Sequence, residues 1–144
     1  NCWPRAIGAR RMTGERDLAQ LLAHMEPVLH ELPFGYATSP APLPAVDAFA
    51  TIIEDEGVTT VAPLATLEAV GVASAAWARI TLNVHSDLAA VGLTAAFAAA
   101  LGQQGISANV IAGYFHDHIF VAWADRDRAM AALVALSKSD QTSA

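Results

Sequence analysis

The chain has 144 residues, 54% of them apolar, enough for one compact unit or two small intimate ones. Its formal charge is −6 with only eight Lys and Arg, which argues against nucleic acid as a partner. Cys2 is the single cysteine, which excludes an internal disulfide and a thiolate-rich metal site, and no apolar run approaches the ~18 residues of a membrane span.

Residues 1–11 differ in character from the rest of the chain. Pro, Arg and Gly interrupt them, so no signal peptide is read, and Met12 is a plausible natural start. A reducing cytoplasm is the expected location, with residues 1–16 as a tail. Asp17 and Gln20 then resemble a helix-start capping pair. Leu18, Leu21, Leu22, Met25, Leu29 and Leu32 continue one apolar stripe, so Pro27 is expected to kink this helix rather than end it. Residues 34–38 read as a short strand, closed by a stiff proline cluster over 39–44.

Residues 47–63 allow two readings. Val46, Phe49, Ala50 and Ile53 fit a helix ending at Gly57. Residues 51–53 and 58–61 instead fit a hairpin around an acidic turn, with Gly57 at positive φ. Consecutive β-branched residues favour the hairpin. A short helix over 64–70 stops at Gly71, and a loop leads to residue 77.

Residues 77–84 alternate well: Ala78, Ile80, Leu82 and Val84 share one face, Trp77, Arg79, Thr81 and Asn83 the other. That period of two predicts a central strand with one buried and one partly polar face. Leu93, Ala96, Phe97, Ala100 and Leu101 give a helix stripe, stopped by Gly105. Residues 109–115 and 118–123 predict a hairpin with His116, Asp117 and His118 at its tight turn, and 126–136 a last helix. Residues 138–144 form a polar tail.

Strand, helix, strand, strand, helix is most of a ferredoxin-like unit, short of one strand. The order helix, strand, strand, short helix over 17–70 repeats over 92–136. The predicted fold class is α+β: two tandem half-units, 17–76 and 77–137, with a mostly antiparallel sheet and helices on one face. Each half alone has too few strands, so edges are expected to pair with each other or with a second chain, and a homodimer is expected.

Several polar clusters carry both a structural and a chemical reading. Ser86 or Asp87, after His85, suits a helix cap, and the same loop suits a ligand contact. His116, Asp117 and His118 suit a tight turn, a ligand or partner contact, or, with His85, an acid–base or metal group. Glu54, Asp55 and Glu56 read as a solvated turn or an acidic clamp. Arg79 suits pairing with one of these acids or with a ligand carboxylate.

Val91-Gly92-Leu93-Thr94 with Gly105-Ile106-Ser107 resembles ACT domains, the small regulatory modules that bind amino acids. Glu56-Gly57-Val58-Thr59, the run from Ile80 to Ser86, the run from Val91 to Phe97 and the run from Gly113 to Val121 are similar to small bacterial tandem ACT proteins. Their layout is similar to the tandem-ACT arginine sensors of animal cells. The resemblance covers residues 18–136. It implies a non-catalytic ligand-binding regulatory module with no cofactor and no metal, partnered by an amino acid or similar small zwitterion; from charge and hydropathy, no nucleic-acid or membrane partner is expected.

By the same resemblance, His85, Ser86, Asp87, Val91, Gly92, Leu93 and Thr94 would hold the ligand's charged ends, and Ser107 and Asn109 would select its side chain. His116, Asp117 and His118 are secondary candidates. A helix N-terminus suits a carboxylate physically, since its first N–H groups are unpaired, and Gly92 would let the backbone approach the ligand. On this reading Gly92→Val abolishes binding and leaves much of the fold intact. The chain departs from the family in having Ala89-Ala90-Val91-Gly92 where Asp-Arg-Pro-Gly is common, and Ser107 where asparagine is common. The other readings are a His85/His116/Asp117/His118 enzyme and a purely structural dimerisation module.

Overall fold

The computed structural model describes residues 14–84 and 92–139. The sheet is built around β5 (Trp77–Leu82), whose burial alternates as the sequence requires: Ala78, Ile80 and Leu82 have no exposed surface. On one side β5 pairs antiparallel with β7 (Asp117–Ala122), which pairs with β6 (Asn109–Ala112). On its other side it pairs with β1 (Pro27–Leu29) and, at Trp77, with β2 (Phe34–Ser39). The sheet continues from β2 to β4 (Val58–Pro63) and β3 (Ala50–Ile53), all antiparallel.

The strand that a ferredoxin-like unit needs beside β5 comes from the N-terminal part of the chain. The helix expected to run past Pro27 does not form: α1 (Gly14–His24) ends early, and Pro27 opens β1. Proline pushes the preceding residue out of the helical region and is tolerated at a strand's first position. Glu26 extends the ladder by accepting the Asn83 N–H at 2.8 Å. Thus β1, β5, β7 and β6, in that spatial order, form a four-stranded antiparallel unit.

Helix α3 (Leu93–Gln103), helix α4 (Arg126–Ser139) and α1 cover one face of this unit. Their core holds Leu21, Leu22, Phe97, Leu101, Ile119 and Leu133, together with the inner face of β5. Both α1 and β1 therefore pack with the later elements. A 3₁₀ turn, Trp123–Asp125, leads into α4, and Trp123 lies at the edge of this core with the Arg126 guanidinium 4.2 Å from its ring centroid.

The other half repeats the pattern in reduced form. Here β2, β4, β3 and the short α2 (Leu64–Ala69) correspond to β5, β7, β6 and α4, while residues 40–49 carry no regular element where α3 would stand. The repeat is thus strand-first, and the helix-first repeat expected over 17–70 is corrected: α1 stands outside it. The β3–β4 hairpin forms, with the Glu54 N–H bonded to Gly57 O and the Thr59 hydroxyl to Glu54. A side chain on Gly35 would meet Leu67 at 2.8 Å and Ser74 Oγ at 2.9 Å, so glycine lets α2 lie close on β2. Beyond its single pair with β5, β2 gives its next free donor, the Tyr36 N–H, to Ser74 Oγ at 2.9 Å.

Alternation along β2 and β5 puts α1 to α4 on one face. The opposite, concave face carries an aromatic cluster of Phe34, Val61 and Phe120 with Tyr36, Phe49 and Trp77 against it. The curl of the sheet brings Phe49, at the head of β3, to 4.9 Å from the His118 ring on β7. No helix among the described residues is long and apolar enough to cross a membrane.

Because β1 completes the later unit, a polypeptide of residues 72–139 should lack a dispersed amide NMR spectrum. Joining residues 14–30 after residue 139 through a short glycine linker should restore it, since the ladder to residues 80–82 and the α1 contacts return. A dispersed spectrum from 72–139 alone would show that β1 is dispensable.

Candidate functional site

The C-terminal end of β5 and the N-terminus of α3 lie at the same end of the sheet as the β6–β7 turn. Gly92 is the residue before α3; it has φ +100°, and no side-chain cap bond is made there among the described residues. His85, Ser86, Asp87 and Val91 lie outside the described residues. Leu93 is buried in the core and Thr94 is exposed. His116, from the β6–β7 turn, holds Nδ1 3.5 Å from Val84 O, so the turn touches the segment that leads into residues 85–91.

Gly92 has a folding role as well as the predicted ligand-facing one. A Cβ there would stand 2.9 Å from Leu18 Cδ2 on α1, and positive φ strains any other residue. A larger side chain at 92 therefore has to displace the end of the Leu18 side chain on α1 as well as act on the loop before it. Ser107 and Asn109 are exposed and lie at the other end. Asn109 stands opposite Phe120, and Phe120 opposite Arg79, two residues below the Thr81–His118 pair. Since α3 has 11 residues, rising about 1.5 Å each, it separates the two halves of the expected site by about 16 Å. One copy of this unit does not bring Gly92 and Ser107 together.

The expected tight turn at residues 116–118 sits earlier than the sequence indicated. Asp117 and His118 are strand residues, and the turn spans 113–116, closed by the Gly113 N–H to His116 O at 2.9 Å. No non-glycine residue among those described has positive φ, so the conformational reason for placing the turn on Asp and His does not operate. Tyr114 and Phe115 take the exposed turn instead. No group of three His, Cys, Asp or Glu among the described residues gathers as a metal site would.

A second polar cluster, only partly visible in the sequence, lies on the concave face. Arg79 projects there from β5, with its guanidinium carbon 4.0 Å from the Phe49 ring centroid and 5.4 Å from that of Phe34. Its Nη2 lies 3.4 Å from His118 Nδ1, which is 3.0 Å from Thr81 Oγ1. Thr81 in turn meets His30 Nε2 at 3.1 Å. Arg79, Thr81 and the polar alternation of β5 were readable. Residues 30 and 118 are brought to Thr81 from 51 and 37 positions away, and no local pattern announces that.

Burial and then the charge of Arg79, with smaller effects of His116 and His30, hold the His118 imidazole down to about 4. His30 is lowered by burial and then by Arg79. Burial raises the Asp117 carboxyl, against the opposing pull of His116. His118 is therefore neutral near pH 7. Between its ordinary value of 6.5 and about 4, the unfolded chain binds a proton there that the folded chain refuses. Stability is thus lost as pH falls through that window and is unaffected by this group above it. His118→Gln should reduce the drop in unfolding free energy between pH 7 and pH 5, measured by urea titration. Because solvent screens this half-buried ring, a reduction of about 1 kcal/mol is expected.

Two stretches of the chain match the ACT domain family, residues 13–79 and residues 72–135. Comparison with curated proteins finds no match. Among solved structures the chain is similar to a Vibrio cholerae protein of unknown function, described as a possible transport protein. The two are 42% identical, over 87% of this chain and 99% of that one, with a TM-score of 0.78. An Agrobacterium tumefaciens protein is 16% identical over 79% of this chain and 90% of its own, with a TM-score of 0.68. The ligand-free regulatory subunit of aspartate kinase from Thermus thermophilus is 11% identical over 76% and 95%, with a TM-score of 0.56. The last two bear on the fold alone. With both halves matched and a 42%-identical relative aligned along almost its whole length, this chain belongs to the ACT-domain family and carries two such units in tandem.

Proposed function

We propose that the protein is a non-catalytic regulatory module that binds an amino acid or similar small zwitterion between two copies of the chain. The observation that carries this reading is the start of α3. Gly92 leaves a helix N-terminus with no side-chain cap among the described residues, at the end of the sheet where the His116 turn meets Val84. First-turn N–H groups there would take the ligand carboxylate through charge-assisted bonds. Family membership supports a regulatory, ligand-binding role.

The length of α3, about 16 Å, supports the two-copy arrangement. A ligand held at the α3 start of one copy would meet Ser107 and Asn109 only if another unit presents its β6 start there. Among the described residues β3 and β6 each pair on one side only, and Ile53 on β3 is 72% exposed. Such edges invite pairing with a second chain.

A thermal-shift screen across the common amino acids tests the ligand. A true ligand at about 100 times its Kd adds about 2.7 kcal/mol, which for a chain this size raises Tm by roughly 5–10 °C. If no amino acid at millimolar concentration moves Tm, the amino-acid reading fails. Association is checked separately by light scattering. A dimer mass at micromolar protein, strengthened by the ligand from the screen, is the expected result, and a monomer with and without ligand would remove the shared-site arrangement.

A further inference from the structure

The concave face holds a cationic group with nothing anionic beside it. Arg79 has no carboxylate partner among the described residues, although the chain carries 14 Asp and Glu. Glu54, a candidate partner from the sequence, accepts the Thr59 hydroxyl instead. The Arg79 Nε is buried and has no hydrogen-bond acceptor. A guanidinium keeps five donors in a planar fork, and among the described residues His118 is the group within reach of them.

The donors around it are ordered. Arg79 can only donate, so with His118 Nδ1 as the acceptor the ring proton sits on Nε2, and the one Nδ1 lone pair is shared between the Thr81 hydroxyl at 3.0 Å and the longer Arg79 Nη2 approach at 3.4 Å. The Thr81 hydroxyl then accepts from His30 Nε2–H. Two neutral rings and one hydroxyl thereby hold the Arg79 side chain in place without cancelling its charge. Phe49 backs the guanidinium plane, and Tyr36 and Trp77, their ring centroids 5.6 Å apart, are half-buried on the same face.

We propose that this face is a second ligand site, separate from the α3 N-terminus, which takes the carboxylate of a small organic acid with a flat apolar body. Because Nε is buried, the carboxylate meets the outer end of the Arg79 fork, where the two terminal Nη groups match two carboxylate oxygens. Phe49, Tyr36 and Trp77 take the apolar body. A compact inorganic anion would meet the charge but leave the rings unused, so charge alone does not suffice here. The site does not depend on the amino-acid reading of the other end.

The test uses the full chain labelled with nitrogen-15, observing histidine ring resonances during titration with sodium benzoate at constant ionic strength. Acetate and inorganic phosphate are the comparison arms. Benzoate should shift the His118 and His30 rings saturably, with acetate and phosphate binding at least tenfold more weakly. Arg79→Met, which keeps an apolar stem, should weaken benzoate at least tenfold. No saturable shift at either ring, phosphate binding as tightly as benzoate, or an Arg79→Met protein that titrates like the parent would each overturn the proposal. If Arg79→Met does not fold, Arg79→Lys takes its place. It retains the charge without the fork, so at least threefold weaker binding supports the site and unchanged binding overturns it.

Discussion

A strand buried on one face and lined with aromatic groups on the other must have its backbone satisfied along both edges, and β5 is that strand. Ala78, Ile80 and Leu82 are fully buried, so their N–H and C=O groups need partners in the chain. On one edge β7 supplies partners over residues 77–81 in a continuous ladder. The other edge is met in pieces: β2 at Trp77, the His30 N–H on Arg79 O at 3.0 Å, and β1 from Ile80 to Leu82. The early chain is therefore drawn across the molecule to finish a sheet that the later chain begins. Fully burying Ile80 and Leu82 is worth roughly 1.5–3 kcal/mol each, and that gain requires the ladder to be closed around them.

The same alternation divides labour between the two faces. Even-numbered residues of β5 enter the helix-side core, which holds α1, α3 and α4 in place. Odd-numbered residues reach the concave face, where Arg79 and Thr81 meet groups from every part of the chain: His30 after β1, Phe34 on β2, Phe49 before β3 and His118 on β7. A half-buried guanidinium is tolerable there because ring faces stabilise a cation and the flanking imidazoles stay neutral. The two histidines are low in basicity for a shared reason, burial beside a fixed positive charge.

Much of the fold was legible because it rests on local periodicity. The alternation of β5, the stripe of α3 and the glycine at 105 (φ +70°) each gave an element its place, and the β-branched pairs around residues 54–57 identified a hairpin. Where the reading failed, a distant partner decided. Leu29 continues the four-residue spacing from Met25 and so mimicked helix, yet a three-residue strand has no period of its own and β1 exists only because β5 needs it. Tyr114 and Phe115 have strand-like side chains but occupy a turn, while the polar Asp117 lies in the strand. β-propensity reflects burial against neighbours rather than a backbone preference, and those neighbours were not visible. Gly92 was placed at the start of α3 from its neighbours in sequence, but the closeness of Leu18 on α1 was not legible there. His30 belongs to no local motif at all.

The dependence on β5 also ties the two polar regions to each other. Val84, whose carbonyl faces His116, lies three residues beyond Thr81, and Thr81 joins His30 to His118. The residues of β1 lie directly against the last three of β5, and His30 follows β1 without a break. A displacement of the β5 end toward a ligand at the α3 start would therefore move β1, which His30 follows, and with it the chain of bonds that orients Arg79. A rigid ladder transmits such a shift, whereas a loop would absorb it. The route between the two polar regions is short: Thr81 is paired on both edges of β5, and Val84 follows it by three residues, at most about 10 Å of chain.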